Sequence, residues 1–231
     1  MKSYKIPSEK LKNLLELTDE PIAISLSLSQ PSHIKRVSMP MPLCSMWGKA
    51  RKEVFYAVGE DCYPCPVGAE VLGFKLTPGR KAAKEKIYAQ LKEFGVRTQK
   101  AIEKINKRTP KIAVGKINSV RFSPLRKAQT LPDVVLLICN PYQAMRLAEA
   151  VGRESGDAPL ALFSMPACSI ISGVYLSGMP AISLACNGSR KLVPIENEKL
   201  LFGIPGKRLI TFLRDLEKVI DGRRRLEELN S

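Results

Sequence analysis

The sequence predicts an α/β fold: a mixed sheet built from two similar halves, with outer helices and a basic helical insertion. Three observations predict it. Short apolar runs of strand length alternate along the chain with segments of helical spacing. One βα unit stands out, where the apolar run Val134–Ile138 leads into Asn140-Pro141 and a helix over Gln143–Val151. A cysteine spacing also recurs: Cys44 and Cys62 are 18 apart, and so are Cys168 and Cys186.

The elements follow in order. Ser8 is read as an N-cap, with Leu11, Leu14 and Leu15 on one helical face through Leu17. Pro21 ends that segment, and Ile22–Leu28 alternates like a half-buried strand. Pro31, Pro40 and Pro42 make residues 30–43 an extended loop. Val54–Val58 is a second strand. Pro66 opens a short helix through Leu72, where its missing N–H costs nothing. Lys81–Leu91 and Thr98–Lys107 read as basic helices separated by Gly95, and Lys116–Phe122 as a strand. Pro124–Pro132 is the best linker. After the βα unit, Gly152–Pro159 turns the chain back. Leu160–Phe163, Ala181–Ala185 and Leu200–Ile204 are strands. Pro205 opens an amphipathic helix carrying Leu209, Phe212, Leu213, Leu216, Val219 and Ile220, ahead of a charged tail, Arg223–Glu228.

In this reading residues 1–231 form one domain. Halves 1–75 and 131–231 flank a basic segment, 76–127, and a pseudo-twofold brings both cysteine sets to one end of the fold. At 231 residues and 45% apolar content the chain can bury a core without disulfide staples. The start, Met1-Lys2-Ser3-Tyr4-Lys5, lacks the apolar run and cleavage site of a signal peptide, and the longest apolar stretch, Val134–Cys139, is too short to span a bilayer. A cytoplasmic location with reduced thiols and no membrane partner is expected. His33 is the single histidine, which excludes a histidine-rich metal site and a Ser–His–Asp triad. No Gly-rich phosphate loop or paired-acid motif is present.

The net charge of +15 is concentrated: Lys75–Lys127 holds 16 Lys or Arg against three acids, Glu85, Glu93 and Glu103. Such a stripe suits an acidic protein or nucleic acid, or is a solvated helical face. Lys81, Lys84, Lys92, Arg97, Lys100, Lys104, Lys107 and Arg108 are its members.

The cysteines carry the chemistry. Cys62-Tyr63-Pro64-Cys65 lets two sulfurs of one turn reach one metal, and Cys44, Cys168 and Cys186 complete a soft ligand set at loop or strand ends. The expected group is an Fe–S cluster or zinc, held by Cys44, Cys65, Cys168 and Cys186, with Cys62 variable. A second reading is a dithiol oxidoreductase at Cys62 and Cys65, with the following helix lowering a thiol pKa. Cys139, inside an apolar strand, is read as a buried small hydrophobe. Asn187, Gly188, Arg190 and Lys191 after a strand can hold an anion or form a plain surface turn.

Several stretches resemble one family. They are Leu43-Cys44, the Cys65-Pro66-x-Gly68 run leading to Leu72-Gly73, and Pro132-Asp133-Val134-Val135-Leu136 continuing through Asn140-Pro141-x-Gln143-Ala144-Met145-Arg146-Leu147. The Cys168 region, Ser183-Leu184-x-Cys186-x-Gly188-x-Arg190-Lys191 and Gly203-Ile204-Pro205-Gly206 complete the match. Together they resemble the domain of unknown function 169 family, which occurs mainly in archaea and anaerobic bacteria. The resemblance brings no settled activity. It implies that members often carry Cys at the position of Ser189 and often lack a match to Cys62.

Overall fold

The computed structural model describes residues 4–153, 155–193 and 195–230. Met1–Ser3, read above as part of a start without a leader, lie outside them, as does Glu154 of the predicted turn. The helices are α1 (Lys5–Leu15), α2 (Leu43–Ala50), α3 (Gly59–Cys62), α4 (Pro66–Val71), α5 (Pro78–Glu93), α6 (Gln99–Arg108), α7 (Pro141–Gly152), α8 (Ser169–Ser177), α9 (Asn187–Leu192) and α10 (Leu209–Leu229). The strands are β1 (Ile22–Ser27), β2 (Phe55–Ala57), β3 (Ser119–Pro124), β4 (Val134–Cys139), β5 (Leu160–Ala161), β6 (Ala181–Ser183) and β7 (Leu200–Pro205).

All seven strands join one sheet in the order β2-β3-β1-β4-β7-β6-β5. It is mixed, as predicted: β5 and β6 run parallel and every other pair is antiparallel. Alternation along β4 explains the layers. Val134, Leu136 and Ile138 enter one core with residues of α2, α4 and α8, whereas Val135, Leu137 and Cys139 enter a second with α1, α7 and α10. A strand covered on both faces has no polar side to show, which is why Val134–Cys139 reads as a continuous apolar run.

Several expectations shift. Ser8 is not the N-cap of α1, which starts three residues earlier; its hydroxyl donates to Glu20 at 3.0 Å instead. The basic segment is not helical throughout, because β3 pairs with β1 from Ile22↔Pro124 to Ser27↔Ser119. The predicted linker is part of the sheet's structure. Leu125 N donates to Pro21 O at 2.7 Å, Asp133 N to Ile24 O at 2.9 Å, and Leu26 N to the Asp133 carboxylate at 2.7 Å. These bonds fasten the connection across β1, which separates β3 from β4. The charged tail extends α10 to Leu229, with Arg223 and Glu227 paired to Glu149 and Arg146 of α7.

Four helices are absent from the sequence reading, α2, α3, α8 and α9, and α2, α8 and α9 matter most. Ser169 through Val174 of α8 are all buried, so no polar stripe marks its period. It lies directly on the sheet because Gly203 of β7 leaves room. A Cβ there would stand 2.8 Å from Val174 Cγ2 and 3.1 Å from Ile170 Cγ1.

Candidate cysteine-thiolate site

Sequence places the cysteines at loop and strand ends; the structure places them at helix starts. Cys44 is the second residue of α2. Cys65, Cys168 and Cys186 are the N-caps of α4, α8 and α9. Local chemistry explains each position. Pro66 at the first position fixes the start of α4, with Cys65 extended before it. At α9 the Cys-x-x-Ser pattern is a reciprocal cap: Cys186 N donates to Ser189 Oγ at 3.0 Å, and Ser189 N approaches Cys186 Sγ at 3.5 Å. Ser189 is fully buried in that role.

These helices pack under the same face of the sheet, α2 against α4 and α9, and α4 against α8. Gly68 of α4 sits at the meeting point. A Cβ on it would lie 3.2 Å from Cys168 Sγ, 3.8 Å from Cys65 Sγ and 3.3 Å from Leu43 Cβ. Cys44 and Cys168 are buried, while Cys65 and Cys186 are half-buried.

The four side chains also feel one another electrostatically. Burial pushes the Cys44 thiol up to about 12, and negative charge on Cys65 and Cys186 would push it further in that direction. Cys168 is held well above its ordinary value by burial first, then by Cys65, Cys44 and Cys186. Cys65 is raised by burial, opposed by the backbone N–H groups of Gly68 and Val67. Cys44, Cys65 and Cys168 are therefore neutral thiols at neutral pH. Among the described residues, no three Cys, His, Asp or Glu side chains stand in a group that could hold a metal ion as they are placed.

Cys62 is apart from this group. It ends α3, is fully buried, and is raised by burial, then by Asp61 and Cys65. Its turn is fixed by Asp61, whose carboxylate accepts Val58 N at 2.9 Å and two Arg36 bonds at 2.9 Å. The dithiol reading needs an accessible low-pKa thiol. Cys62 is inaccessible, and both thiols of the turn are shifted upward. Cys139 lies on the opposite face of the sheet, inside the second core.

Asn187 and Gly188 are exposed in the first turn of α9, beside Cys186, and Lys191 is exposed on the same helix. Arg190 has a structural occupation. It donates to the carbonyls of Glu196 at 2.8 Å, Leu184 at 2.9 Å and Lys199 at 3.0 Å. The Asn140-Pro141 start of α7 is likewise a cap, with Gln143 N donating to Asn140 Oδ1 and Asn140 N to Gln143 Oε1, both at 2.8 Å. A polar cleft of about 360 Å³ lies beside it, bounded by α1, α7 and α10. No helix among the described residues is long and apolar enough to cross a membrane.

Fold and site define an α/β protein in which four cysteines begin helices that pack under one face of a mixed sheet. The chain belongs to the domain of unknown function 169 family, described as uncharacterised ArCR, whose match covers residues 10–214. It is similar to the uncharacterized protein MJ0308 of Methanocaldococcus jannaschii, at 28% identity over 221 residues, 90% of this chain and 93% of that one. No solved structure matches.

Proposed function

We propose that this chain is a redox protein that holds an iron–sulfur cluster through Cys44, Cys65, Cys168 and Cys186. The observation that carries the reading is that these four cysteines begin four helices packed on one face of the sheet, with the Cys65 and Cys168 sulfurs beside Gly68 and electrostatic coupling running among all four. The thiolates of Cys44, Cys65 and Cys168 are each disfavoured by burial and by neighbouring cysteines. A cationic group among them reverses that sign and favours all four ionised. Helix starts add positive potential, and the N–H groups of Val67, Gly68 and Ser189 face sulfur, as donors to ligating thiolates do. Binding would release the thiol protons and draw the sulfurs inward by side-chain rotation. A [4Fe–4S] cluster takes one thiolate per iron and so spreads its four ligands more widely than a single zinc ion does. When bound, the cluster would supply one-electron chemistry; the chain ligates it and excludes water.

The test is purification without oxygen, followed by iron, acid-labile sulfide and zinc analysis and visible absorption. Iron with sulfide and a broad band near about 400 nm are expected. Changing any of the four cysteines to Ser should lower iron and sulfide content, whereas Cys139→Ser should leave it intact in the folded fraction. Zinc without iron, or a folded protein holding neither, overturns the redox reading.

A further inference from the structure

We infer that the basic α5–α6 segment is a docking surface for an acidic protein that meets the cysteine site at Cys65. The redox nature of that partner rests on the cluster reading above; the surface itself rests on separate observations. Residues 78–108 carry ten Lys or Arg against three acids. Both helices are one-sided. Lys84 is the only buried residue of α5, and Ile102 the only buried one of α6. Lys81, Lys92, Lys100, Lys104, Lys107 and Arg108 are exposed, with no carboxylate at ion-pair distance among the described residues. Uncompensated like charge destabilises a folded chain, so its concentration on one segment favours a negative partner.

The segment is also tied to the helix that Cys65 caps. Lys84 Nζ of α5 and Lys111 Nζ, just after α6, lie 3.0 and 3.4 Å from the Glu70 carboxylate of α4. The Arg80 guanidinium stands over the Tyr63 ring at 5.7 Å, and Tyr63 belongs to the Cys62–Cys65 turn. Tyr88 is pushed up mainly by burial, with Cys65 among the groups it feels. Cys65 is in addition one of the two site thiols that solvent reaches. A partner seated on α5 therefore lies next to the open side of the site.

A protein fits this surface better than a nucleic acid. Ile87, Phe94 and Val96 are 37%, 73% and 59% exposed among the lysines. Exposed apolar side chains interspersed in sequence with lysines suit a protein interface, where charge steers and apolar area holds. Lys outnumbers Arg seven to three over this segment, and aliphatic Ile87 and Val96 offer no face for base stacking.

The probe is an acidic plant-type [2Fe–2S] ferredoxin, with a short DNA duplex as competitor. Binding to the whole protein is measured at low and at near-physiological ionic strength. The variant Lys81→Glu/Lys92→Glu/Lys100→Glu/Lys104→Glu changes exposed, unpaired side chains only, and circular dichroism checks its fold. We expect salt-sensitive ferredoxin binding that the variant weakens by about tenfold or more. No binding, binding that the variant leaves unchanged, or duplex binding tighter than ferredoxin binding and lost in the variant would overturn the inference. Iron and sulfide are assayed on the same samples. Ferredoxin binding to iron-free protein, lost in the variant, keeps the docking surface while the cluster reading falls. Iron-loaded protein that ignores ferredoxin does the reverse.

Discussion

Cys139 and Cys168 share a chemistry and a degree of burial but have opposite surroundings. Cys139 alternates into a core of Val135, Leu137 and Phe202, whereas Cys168 meets other cysteines. Burial alone thus cannot rank cysteines for function; what matters is which polar groups share the burial. Glycine is as position-specific. Gly203→Ala would put a methyl 2.8 Å from Val174 Cγ2, so α8 must shift. That substitution is expected to cost about 1–3 kcal/mol, measured as a lowered midpoint of thermal or urea unfolding. Gly203 was legible as a motif residue, but the helix it accommodates was not.

At the scale of elements, legibility followed amphipathicity and capping. In α7 the Asn140, Pro141 and Gln143 signals agree with an apolar stripe, and the element matches its prediction closely. Asn140→Ala removes an acceptor for Gln143 N and is expected to cost about 1 kcal/mol of stability, read from chemical denaturation. In contrast, α2 has Pro42 at its N-cap with no side-chain cap bond, and α8 is buried around its circumference. The apolar spacing of α2, Leu43, Met46, Trp47 and Ala50, is helical but spans only eight residues after a proline-rich loop, and α8 has no polar stripe to count. The two helices that begin at Cys44 and Cys168 were therefore read as loop ends, and only packing revealed them.

Across the whole molecule, the buried thiols couple stability to pH. Burial holds Cys44 and Cys139 up to about 12 in the fold, while an unfolded cysteine titrates near about 8.5. Above that pH the unfolded chain has lost protons that the folded chain retains, so stability falls as pH rises. Stability of the metal-free protein should be flat with respect to these groups below about pH 8. Each should then add a loss of up to about 1.4 kcal/mol per pH unit between about 9 and 12. Urea midpoints at several pH values measure the slope, and Cys139→Ala should make it shallower. A slope that this variant leaves unchanged would contradict the assignment. The sequence by itself determined the mixed α/β class, most strands, the capped helix α7, the basic segment and the cysteines worth watching. Local patterns carry that information, because strand runs, caps and charge are properties of neighbouring residues. Only the tertiary structure decided that four cysteines begin helices on one face of the sheet while Cys62 ends a helix and Cys139 lies on the other face, that Arg190 serves backbone carbonyls, and that basic α5 packs against the helix Cys65 caps. Those outcomes depend on which helices share a face of the sheet, and a spacing of 18 along the chain does not contain that.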